Sequence, residues 1–430
     1  MELSTFHLIS IASVVLLAIL LMLVLFEPSL PYRVNASRAA LDSQEFLGYL
    51  SAIIDAPIRG HSSVEVLRTG DAIYEAEFAA IREAESSIHL EAFVFRRSRV
   101  ADRMLTALIE RARTGVRVRL VIDAIGSLPT SDNYFASLRD AGGEVFWYQP
   151  IRWYTLKRFN NRTHRELLII DGKIGFVGGA GIADWWIARN RLGQPWRDTM
   201  VRLTGDLVGG LQASFAENWL ESSGNILSGE DCFTYCRATP SMPACGPVAG
   251  MVINSTPSAG RSTRARILFQ ILIASARRSI QISSPYFLPD RSLRAELSKA
   301  VARGIDVIVV TPGAYNNHPI ARRASRRHYG ELLKGGIQIY EYQPAMIHAK
   351  VLIVDGSWSV LGSTNFDSRS FGLNDEVNVA MLDSKLASQL QENFFEDLTQ
   401  SRSITYEEWQ KRSFTERCVA LLGVTLERQQ

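Results

Sequence analysis

Two side chains that could act on a phosphate group stand close together in the last third of the chain. His348 and Lys350 are separated by one residue, and a short apolar run that ends at Asp355 follows them. If this segment is a strand, period-two alternation places both side chains on one face. The next predicted strand ends in a Gly-Ser-Thr-Asn turn, in which Ser363 and Asn365 offer short polar groups. A histidine, a lysine and two neutral donors at neighbouring strand ends are typical of a phosphate site.

The same arrangement occurs earlier in the chain in an altered form. His164 is followed, at the same spacings, by Glu166 and Asp171. The downstream turn reads Gly178-Gly-Ala-Gly, so glycines stand where the later copy has its serine and asparagine. Alternation predicts that Glu166 points the same way as His164. The recurrence disfavours the alternative that His348 and Lys350 merely line a solvated strand edge.

Around both motifs the chain repeats one order of predicted elements. Short continuous apolar runs alternate with helical segments, as in α/β units whose sheets are covered on both faces. We therefore predict an α/β fold in which two α/β/α repeats pack as a pseudo-twofold pair. The predicted helices are 72–84, 100–113, 134–141, 265–276, 292–303 and 319–333, and the predicted strands include 87–95, 117–122, 144–147, 280–284, 305–310 and 337–340.

Composition sets the class of protein. The chain has 430 residues and a formal charge of +3, with 47% hydrophobic and 21% charged residues. These values exclude a disordered chain, a collagen-like repeat and a small disulfide scaffold. Because the net charge is near zero, anion binding must come from local clusters. The predicted divisions are an anchor 1–30, a linker or accessory helix 31–62, a first domain 63–228, a connector 229–250, a second domain 251–400 and a tail 401–430.

An apolar segment lies near the amino terminus. Residues 8–26 are apolar except for two serines, and at about 1.5 Å per residue they extend roughly 28 Å, close to the hydrocarbon thickness of a bilayer. No Lys or Arg precedes the run, which disfavours a cleaved signal peptide. We expect one transmembrane helix, an uncleaved single-pass anchor in the cell membrane, with a cleaved signal or a buried helix as alternatives. Arg33 and Arg38 follow it, which predicts a cytoplasmic body.

The later motif resembles that of the phospholipase D superfamily. His348-Ala-Lys350, Asp355 and the Gly-Ser-Thr-Asn365 turn match its H-x-K-x4-D-x6-G-S-x-N signature without a gap. Within the superfamily, the chain is most similar to the bacterial cardiolipin synthases. The segments 196–205, 284–290 and 369–377 support this resemblance, which covers about residues 63–399.

The resemblance implies two-step phosphoryl transfer through a phosphohistidine. His164 would be the nucleophile, and His348 the general acid and then the general base. Imidazole titrates near neutrality, so this chemistry needs no metal and no cofactor. The family pattern suggests Asp198 and Glu376 as the carboxylates that orient the rings, with a surface position as the alternative for each. The resemblance also assigns phosphate binding to Lys350, Ser363 and Asn365, and a supporting role in the loops to Asp171 and Asp355.

The first motif departs from the family at Glu166, where the family has lysine. An anion about 4 Å from a phosphate charge costs about 4 kcal/mol at an effective dielectric constant of 20. A neighbouring arginine, Arg162 or Arg165, could neutralise it.

Three interpretations of this divergent first motif remain open. The enzyme works with an asymmetric site, in which Lys350 and its neighbours hold the phosphate and His164 still attacks. Alternatively, the chain is a weakly active or inactive homologue with a scaffold role. As a third interpretation, Glu166 serves other chemistry, as a hydrolytic base or as a metal ligand with His164 and His348. That spacing matches no known metal signature, so we predict no metal.

The expected substrate is an anionic phospholipid at a membrane, and the family resemblance indicates phosphatidylglycerol. Residues 152–159 interleave basic and aromatic side chains, a composition suited to a membrane interface. A second basic cluster, 322–328, is either functional or a solvated helix face. Trp185 and Trp186 either line an entrance for acyl chains or fill the core. Because an anchored body would seldom meet DNA, we expect no nucleic-acid partner; the oligomeric state is not indicated.

The four cysteines allow several states. Cys232, Cys236 and Cys245 lie in the predicted connector, and Cys418 lies near the carboxyl terminus. A disulfide, which would imply an oxidising compartment, and reduced thiols are both open. A zinc site is disfavoured, because the spacing is atypical and no histidine is near.

The resemblance therefore predicts a phosphatidyltransferase at the membrane surface that synthesises cardiolipin. Phospholipid hydrolysis, a tethered nuclease and a non-catalytic scaffold are the alternatives. The acceptor separates the first of these from transfer, because water in place of a glycerol hydroxyl yields phosphatidic acid.

Overall fold

The protein is described from a computed structural model of the 430-residue chain. The structure describes residues 5–25, 32–34, 37, 39–153, 158, 160–229, 246–257 and 263–412, with the backbone alone for 20–25 and 320. All four cysteines lie outside these ranges, as do Tyr154–Lys157 and Phe159 of the predicted lipid-facing segment. The disulfide alternatives therefore stay predictions.

The predicted transmembrane anchor is wrong. A helix, α1 (Thr5–Leu25), does form near the amino terminus. However, within the part of the chain whose side chains are described, which in α1 ends at Ile19, no helix is long and apolar enough to cross a membrane. The single-pass membrane localisation with a cytoplasmic body was predicted from this anchor, so that prediction is wrong as well.

The first half of the chain is an α/β unit preceded by a short helix. Short 3-10 turns lie between strands at Asp132–Phe135 and at Asp184–Trp186. The helices are α2 (Gln44–Ile54), α3 (Gly70–Arg82), α4 (Arg99–Arg113), α5 (Ala136–Asp140) and α6 (Asp206–Ser223). The strands are β1 (Arg59–Thr69), β2 (Ser87–Ala92), β3 (Arg117–Asp123), β4 (Glu144–Tyr148), β5 (Arg162–Thr163), β6 (Leu167–Ile170), β7 (Ile174–Gly178) and β8 (Arg197–Gly205).

The second half repeats this order and adds a terminal strand and helix. Its helices are α7 (Arg264–Ser275), α8 (Arg291–Ala302), α9 (Pro319–Lys334), α10 (Ser384–Thr399) and α11 (Tyr406–Gln410). Its strands are β9 (Val248–Ser255), β10 (Ser279–Ser283), β11 (Asp306–Pro312), β12 (Gln338–Tyr342), β13 (Val351–Val354), β14 (Trp358–Gly362), β15 (Asn374–Leu382) and β16 (Ser401–Ile404).

The strand order shows that the two halves are copies of one topology. The first half is ordered β1-β8-β7-β6-β2-β3-β4 and the second β9-β15-β14-β13-β10-β11-β12-β16. In each half, three consecutive strands that are joined by helices pair in parallel (β2, β3 and β4; β10, β11 and β12), and the hairpin strands pair antiparallel. The halves join where β1 pairs with β9, through Arg59–Gly250 and Ser62–Val248. The two-repeat α/β prediction is therefore confirmed.

Three apolar cores hold the layers together. One core packs α3, α4 and α5 on the strands of the first half, and a second packs α2, α7 and α8 on the strands of the second half. The third combines strands from both halves, for example Val177 and Val201 with Val351 and Val379. Because this last core packs α6 and α10 against strands of both halves of one continuous sheet, the halves are fixed in one relative position.

Strand pairing also crosses between the halves beside both motif histidines. The short strand β5 pairs in parallel with the start of β15, and Arg197 at the start of β8 pairs in parallel with Ile347. His348 and Lys350 therefore precede β13 in an extended segment, although the sequence predicted them within the strand. The cross-pairing ties each motif segment to the other half.

Asp171 and Asp355 occupy equivalent turns with positive φ, 53° and 55°. Asp171 accepts hydrogen bonds from the backbone N–H groups of residues 85–87, just before β2. Asp355 accepts them from residues 277–279, just before β10. Each carboxylate thus satisfies three donors at the beginning of a central strand.

We expect Asp355→Ala to destabilise the protein, because three backbone donors would lose their acceptor. The free energy of unfolding should fall by roughly 2–4 kcal/mol, measured by urea denaturation of the full chain. Asp42→Ala, at an exposed position, is the matched control and should change it by less than about 0.5 kcal/mol. Equal effects of the two substitutions would contradict this account of the turn.

Candidate active site

His164 lies between β5 and β6 and faces a carboxylate from the other half. Its backbone N–H donates to the carbonyl oxygen of Asp375 (2.9 Å), and its Nδ1 lies 3.1 Å from both carboxylate oxygens of Glu376. Burial raises the pKa of Glu376, but the charge and hydrogen bond of His164, with hydrogen bonds from Ser363 and Ser370, bring it below 4.5. An ionised carboxylate only accepts, so Nδ1 carries a proton, and in the neutral form of the ring the lone pair is on Nε2.

His348 has the reciprocal arrangement. Its backbone N–H donates to the carbonyl oxygen of Arg197 (2.6 Å), and its Nδ1 lies 2.9 Å from Oδ2 of Asp198. Asp198 also accepts from Nε1 of Trp186 (2.8 Å) and from the backbone N–H of Thr199 (2.8 Å). Burial raises the pKa of Asp198, but the hydrogen bond and charge of His348, with the charge of Lys350, bring it below 3.8. Each imidazole is therefore held by a carboxylate of the opposite half.

Lys350 places a buried cation between these pairs. Its ammonium donates to the carbonyl oxygen of His348 (2.8 Å) and lies 2.9 Å from Nδ1 of the same residue. Burial lowers the pKa of Lys350 to about 8, against the opposing charges of Asp198 and Glu376. Burial, with the charge of Lys350, lowers the pKa of His348 to about 4. That value includes a smaller lowering by the charge of His164 and the opposing, raising effect of the hydrogen bond and charge of Asp198.

Glu166 is turned away from solvent and from both neighbouring arginines. It is buried, and its Oε1 accepts a hydrogen bond from the backbone N–H of Val94 (3.2 Å). Burial raises the pKa of Glu166 well above 4.5, and the charge of Glu77, itself buried, adds to the increase. This favours an uncharged carboxylic acid near neutral pH. The repulsion of phosphate that the sequence predicted therefore requires an ionised state that burial disfavours.

The proposal that Arg162 or Arg165 neutralises Glu166 does not fit their contacts. Arg165 is buried and donates to the carbonyl oxygen of Ser214 (2.6 Å) and to Glu217 (2.7 Å). Arg162 donates to the carbonyl oxygens of Asn161 (2.6 Å) and Gln149 (2.8 Å). Both side chains thus stabilise the segment around His164 instead.

The glycines of the first turn leave space for groups of the site. A Cβ at Gly179 would lie 2.6 Å from Oδ1 of Asp198 and 2.9 Å from Nζ of Lys350. A Cβ at Gly181 would lie 2.8 Å from Oε1 of Glu166. Real Cβ atoms do not approach other atoms so closely, so the serine and asparagine of the later motif would collide here. Lys350 of the second half thus occupies space beside the turn of the first.

Ser363 and Asn365 have different surroundings. Ser363 donates a hydrogen bond to Glu376 and accepts one from the backbone N–H of Val377 (3.0 Å). Its hydroxyl therefore holds the carboxylate that orients His164. Asn365 is buried, and its Oδ1 has no hydrogen-bond partner among the described residues. Its unpartnered oxygen can only accept, so any hydrogen bond from Asn365 to a phosphate oxygen would come from Nδ2.

Sequence reasoning missed a buried charged network behind His164. Tyr148 donates from its hydroxyl to Oδ2 of Asp375 (2.5 Å), and the guanidinium of Arg165 lies 3.7 Å from Oδ1 of the same carboxylate. Arg165 and Asp375 each adjoin a residue of the site, and alternation turns them to the opposite side. The sequence held one signal of this network, which is that a charged residue stands directly next to each of the two site residues.

The tryptophans and the second basic cluster have structural partners. Trp186 is buried against Asp198, whereas Trp185 stacks on Trp196 with ring centroids 5.0 Å apart. In the second cluster, Arg322 and Arg326 pair with the buried Glu341 of β12, at 2.9 Å and 2.5 Å. These two arginines hold α9 on the sheet, whereas Arg323 of the same cluster is exposed.

Within the described ranges, no three His, Cys, Asp or Glu side chains are arranged to hold a metal ion. The carboxyl group of Glu166 is engaged with backbone instead of forming a cage with the two histidines. The arrangement that exists is two oriented imidazoles and one buried ammonium. Such an arrangement is suited to nucleophilic and acid–base catalysis.

Comparison with known proteins gives the family. Residues 78–191 and 269–398 match the family described as "Cardiolipin synthase, PLD-like domain". The cardiolipin synthase of Geobacillus kaustophilus (strain HTA426) is 35% identical over 392 residues, which cover 91% of this chain and 77% of that protein. The chain belongs to the cardiolipin synthase family. The major cardiolipin synthase of Bacillus subtilis (strain 168) is 35% identical over 379 residues, covering 87% and 77% of the two chains.

A solved structure supports the fold of this cardiolipin synthase family member. The crystal structure of phosphatidylserine synthase from Haemophilus influenzae Rd KW20 superposes with a TM-score of 0.69 at 14% identity, covering 89% of this chain and 97% of that one. The predicted membership of the phospholipase D superfamily, closest to the cardiolipin synthases, is confirmed, and with it the prediction of a phospholipase D-type enzyme.

We expect Gly179→Ser, which restores the serine of the later motif, to lower activity at least tenfold. The new side chain would displace Asp198 and Lys350, and a shift in catalytic geometry of about 1 Å costs about a hundredfold. Phospholipid turnover and the melting temperature should be measured together. Gly48→Ser is the control, since nothing lies within 4 Å of its Cβ position. Full activity in Gly179→Ser would contradict the crowded turn.

Proposed function

We propose that this enzyme transfers a phosphatidyl group from one phosphatidylglycerol to another, producing cardiolipin and glycerol. The observation that carries the proposal is the reciprocal pairing of His164 with Glu376 and of His348 with Asp198 around Lys350. The names of the similar proteins support the lipid product. The pairing supports the phosphoryl-transfer chemistry, because it presents one imidazole nitrogen from each half.

In the first step, Nε2 of His164 attacks the phosphorus of the donor lipid. A P–N bond forms, the P–O bond to the glycerol headgroup breaks, and His348 gives its proton to the leaving alkoxide. A low pKa leaves His348 neutral before substrate arrives. The anionic phosphodiester beside Lys350 offsets the ammonium charge, so its binding raises the pKa of His348 and allows protonation.

In the second step, the acceptor hydroxyl of another phosphatidylglycerol loses its proton to His348. The alkoxide attacks phosphorus, a P–O bond forms, and the P–N bond to His164 breaks. His164 regains its starting state with Nδ1–H still donated to Glu376. If water takes the place of the hydroxyl, the product is phosphatidic acid.

One cation serves this site. Lys350 and the Asn365 amide hold the phosphate, and the neutral carboxyl of Glu166 adds no opposing charge near neutral pH. This supports the asymmetric site among the three interpretations of the divergent motif. Ser363 acts through Glu376 and is a positioning residue.

The lipid products of a cardiolipin-deficient host test the proposal. We expect the wild type to produce cardiolipin and His348→Ala to produce none, because neither step would have its proton carrier. Asp42→Ala is a control outside the site. Cardiolipin at wild-type levels in His348→Ala would overturn the assignment, and phosphatidic acid as the only product would replace transfer by hydrolysis.

The nucleophile is tested separately by trapping the intermediate. Purified enzyme is mixed rapidly with a phosphatidyl donor that has an activated leaving group, which does not need the acid, and its peptides are analysed by mass spectrometry. We expect a phosphatidyl adduct on His164 that accumulates in His348→Ala. An adduct on His348 in the wild type would reverse the two roles.

The Glu166 carboxyl predicts a pH effect. As the pH rises through its raised pKa, Glu166 ionises and places a negative charge near the phosphate. Glu166→Gln cannot ionise, so we expect near wild-type kcat/KM at neutral pH and a smaller alkaline loss. The wild type and Glu166→Gln both lose activity as Lys350 loses its proton, because the pKa of Lys350 is about 8. Identical alkaline limbs, or inactivity of Glu166→Gln at neutral pH, would contradict a neutral carboxyl.

A further inference from the structure

Four large apolar side chains are exposed in loops near the two histidines. Leu128 is 71% exposed, Ile151 56%, Trp153 84% and Leu192 57%. We call these four residues the apolar rim. Exposed apolar groups in the loops around a site are typical of a surface for another apolar phase or molecule.

The loop that carries Leu128 is tied to the ring beside His164. The hydroxyl of the preceding residue, Ser127, donates to the carbonyl oxygen of Phe93 (2.9 Å). The ring of Phe93 lies edge-on to the imidazole of His164, with centroids 5.1 Å apart. Leu128 therefore lies two contacts from the candidate nucleophile.

The segment that carries Ile151 and Trp153 is tied down at both ends. Arg162 donates to the carbonyl oxygen of Gln149 (2.8 Å), and Arg369 donates to the side chain of Asn160 (2.8 Å). This segment follows β4, at the same end of the sheet as the carboxyl end of β2. The exposed side chains therefore stand at the end of the first half that holds His164.

The loop that carries Leu192 reaches the other histidine. It ends at Trp196, whose ring lies 5.6 Å from the imidazole of His348. Asn190 donates from its side chain to the carbonyl oxygen of Pro344 in the second half (2.8 Å). The apolar rim thus adjoins both histidines.

Two of the three loop segments carry charge, and it is of one sign. Segments 124–131, 149–161 and 187–196 contain five Arg or Lys residues and no Asp or Glu. Arg152, Arg158, Arg189 and Arg191 are exposed. Cations next to Trp and Leu match the headgroup layer of an anionic bilayer, where aromatic rings lie at the interface and cations meet phosphates.

We propose that the apolar rim docks on the surface of an anionic phospholipid bilayer. Leu128, Ile151, Trp153 and Leu192 insert among the headgroups, and the adjoining arginines contact lipid phosphates. This docking brings the histidines to the layer that holds the phosphodiesters, so a lipid need not leave the bilayer fully. The docking rests on the proposed function in one respect only, which is that an enzyme acting on phospholipids must reach them in the bilayer.

Hydrogen–deuterium exchange of the full chain tests the docking without turnover. The His348→Ala background prevents lipid conversion, and the probes are vesicles of phosphatidylglycerol and vesicles of phosphatidylcholine. We expect slower exchange in 124–131, 149–161 and 187–196 with the anionic vesicles, and little change with neutral ones. The protection should weaken with added salt, because exposed charges are screened.

A triple variant, Leu128→Ser, Trp153→Ser and Leu192→Ser, tests the apolar part. Its vesicle activity should fall at least tenfold, because each lost insertion weakens binding several-fold. Its activity on a short-chain, monomeric phosphatidylglycerol should stay within about twofold of wild type, because the catalytic groups are untouched. Ile53→Ser is the matched control, since Ile53 is 48% exposed on α2 in the outer layer. It should leave both activities unchanged.

Three outcomes would overturn the docking. Unchanged exchange in the three segments with anionic vesicles is one, and equal loss of activity on vesicles and on monomeric lipid is another. Protection of these segments by a DNA duplex instead of vesicles is the third. If neither lipid form is turned over but anionic vesicles still protect the segments, the proposed function fails and the docking stands.

Discussion

The site depends on hydrogen bonds that cross the interface between the two halves. Glu376 of the second half holds His164, and Asp198 of the first half holds His348. Both carboxylates are buried, and a buried carboxylate is stable only with donors close by. Either half alone would therefore leave a charged group without its partner. The same contacts orient the imidazoles, so the stability of the interface and the geometry of the site are one requirement.

Strand pairing between the two halves holds the backbone rigid at both histidine–carboxylate pairs. The β5–β15 pairing fixes the backbone at His164, and the Arg197–Ile347 bridge fixes it at His348. Behind His164, Arg165 and Asp375 continue the contact in a network that solvent does not reach. Alternation along each segment separates the two tasks, because one side chain faces the site and its neighbour faces the interface.

The repeats are equal in topology and unequal in chemistry. In the second half, Ser363 holds Glu376; in the first, Gly179 leaves Asp198 to the indole of Trp186. The halves also differ two residues after each motif histidine, where the second half has Lys350 and the first has the buried carboxyl of Glu166. A chain with one cation at the site avoids placing two ammonium groups in a buried volume, where their repulsion would be strong.

The sequence by itself determined the repeated α/β order, the motif residues and the family, because hydrophobic periodicity and exact spacing are local properties of the chain. The approximate bounds of most helices and strands followed from the same patterns. Local patterns did not predict that β2 ends at Ala92, where the chain turns so that Val94 meets Glu166. Nor did they predict which carboxylate holds which imidazole. They also did not predict that, among the described residues, no helix is long and apolar enough to cross a membrane. Only the tertiary structure decided that the pKa of Glu166 is raised and which groups Arg165 contacts, because both depend on burial and on residues distant in the chain.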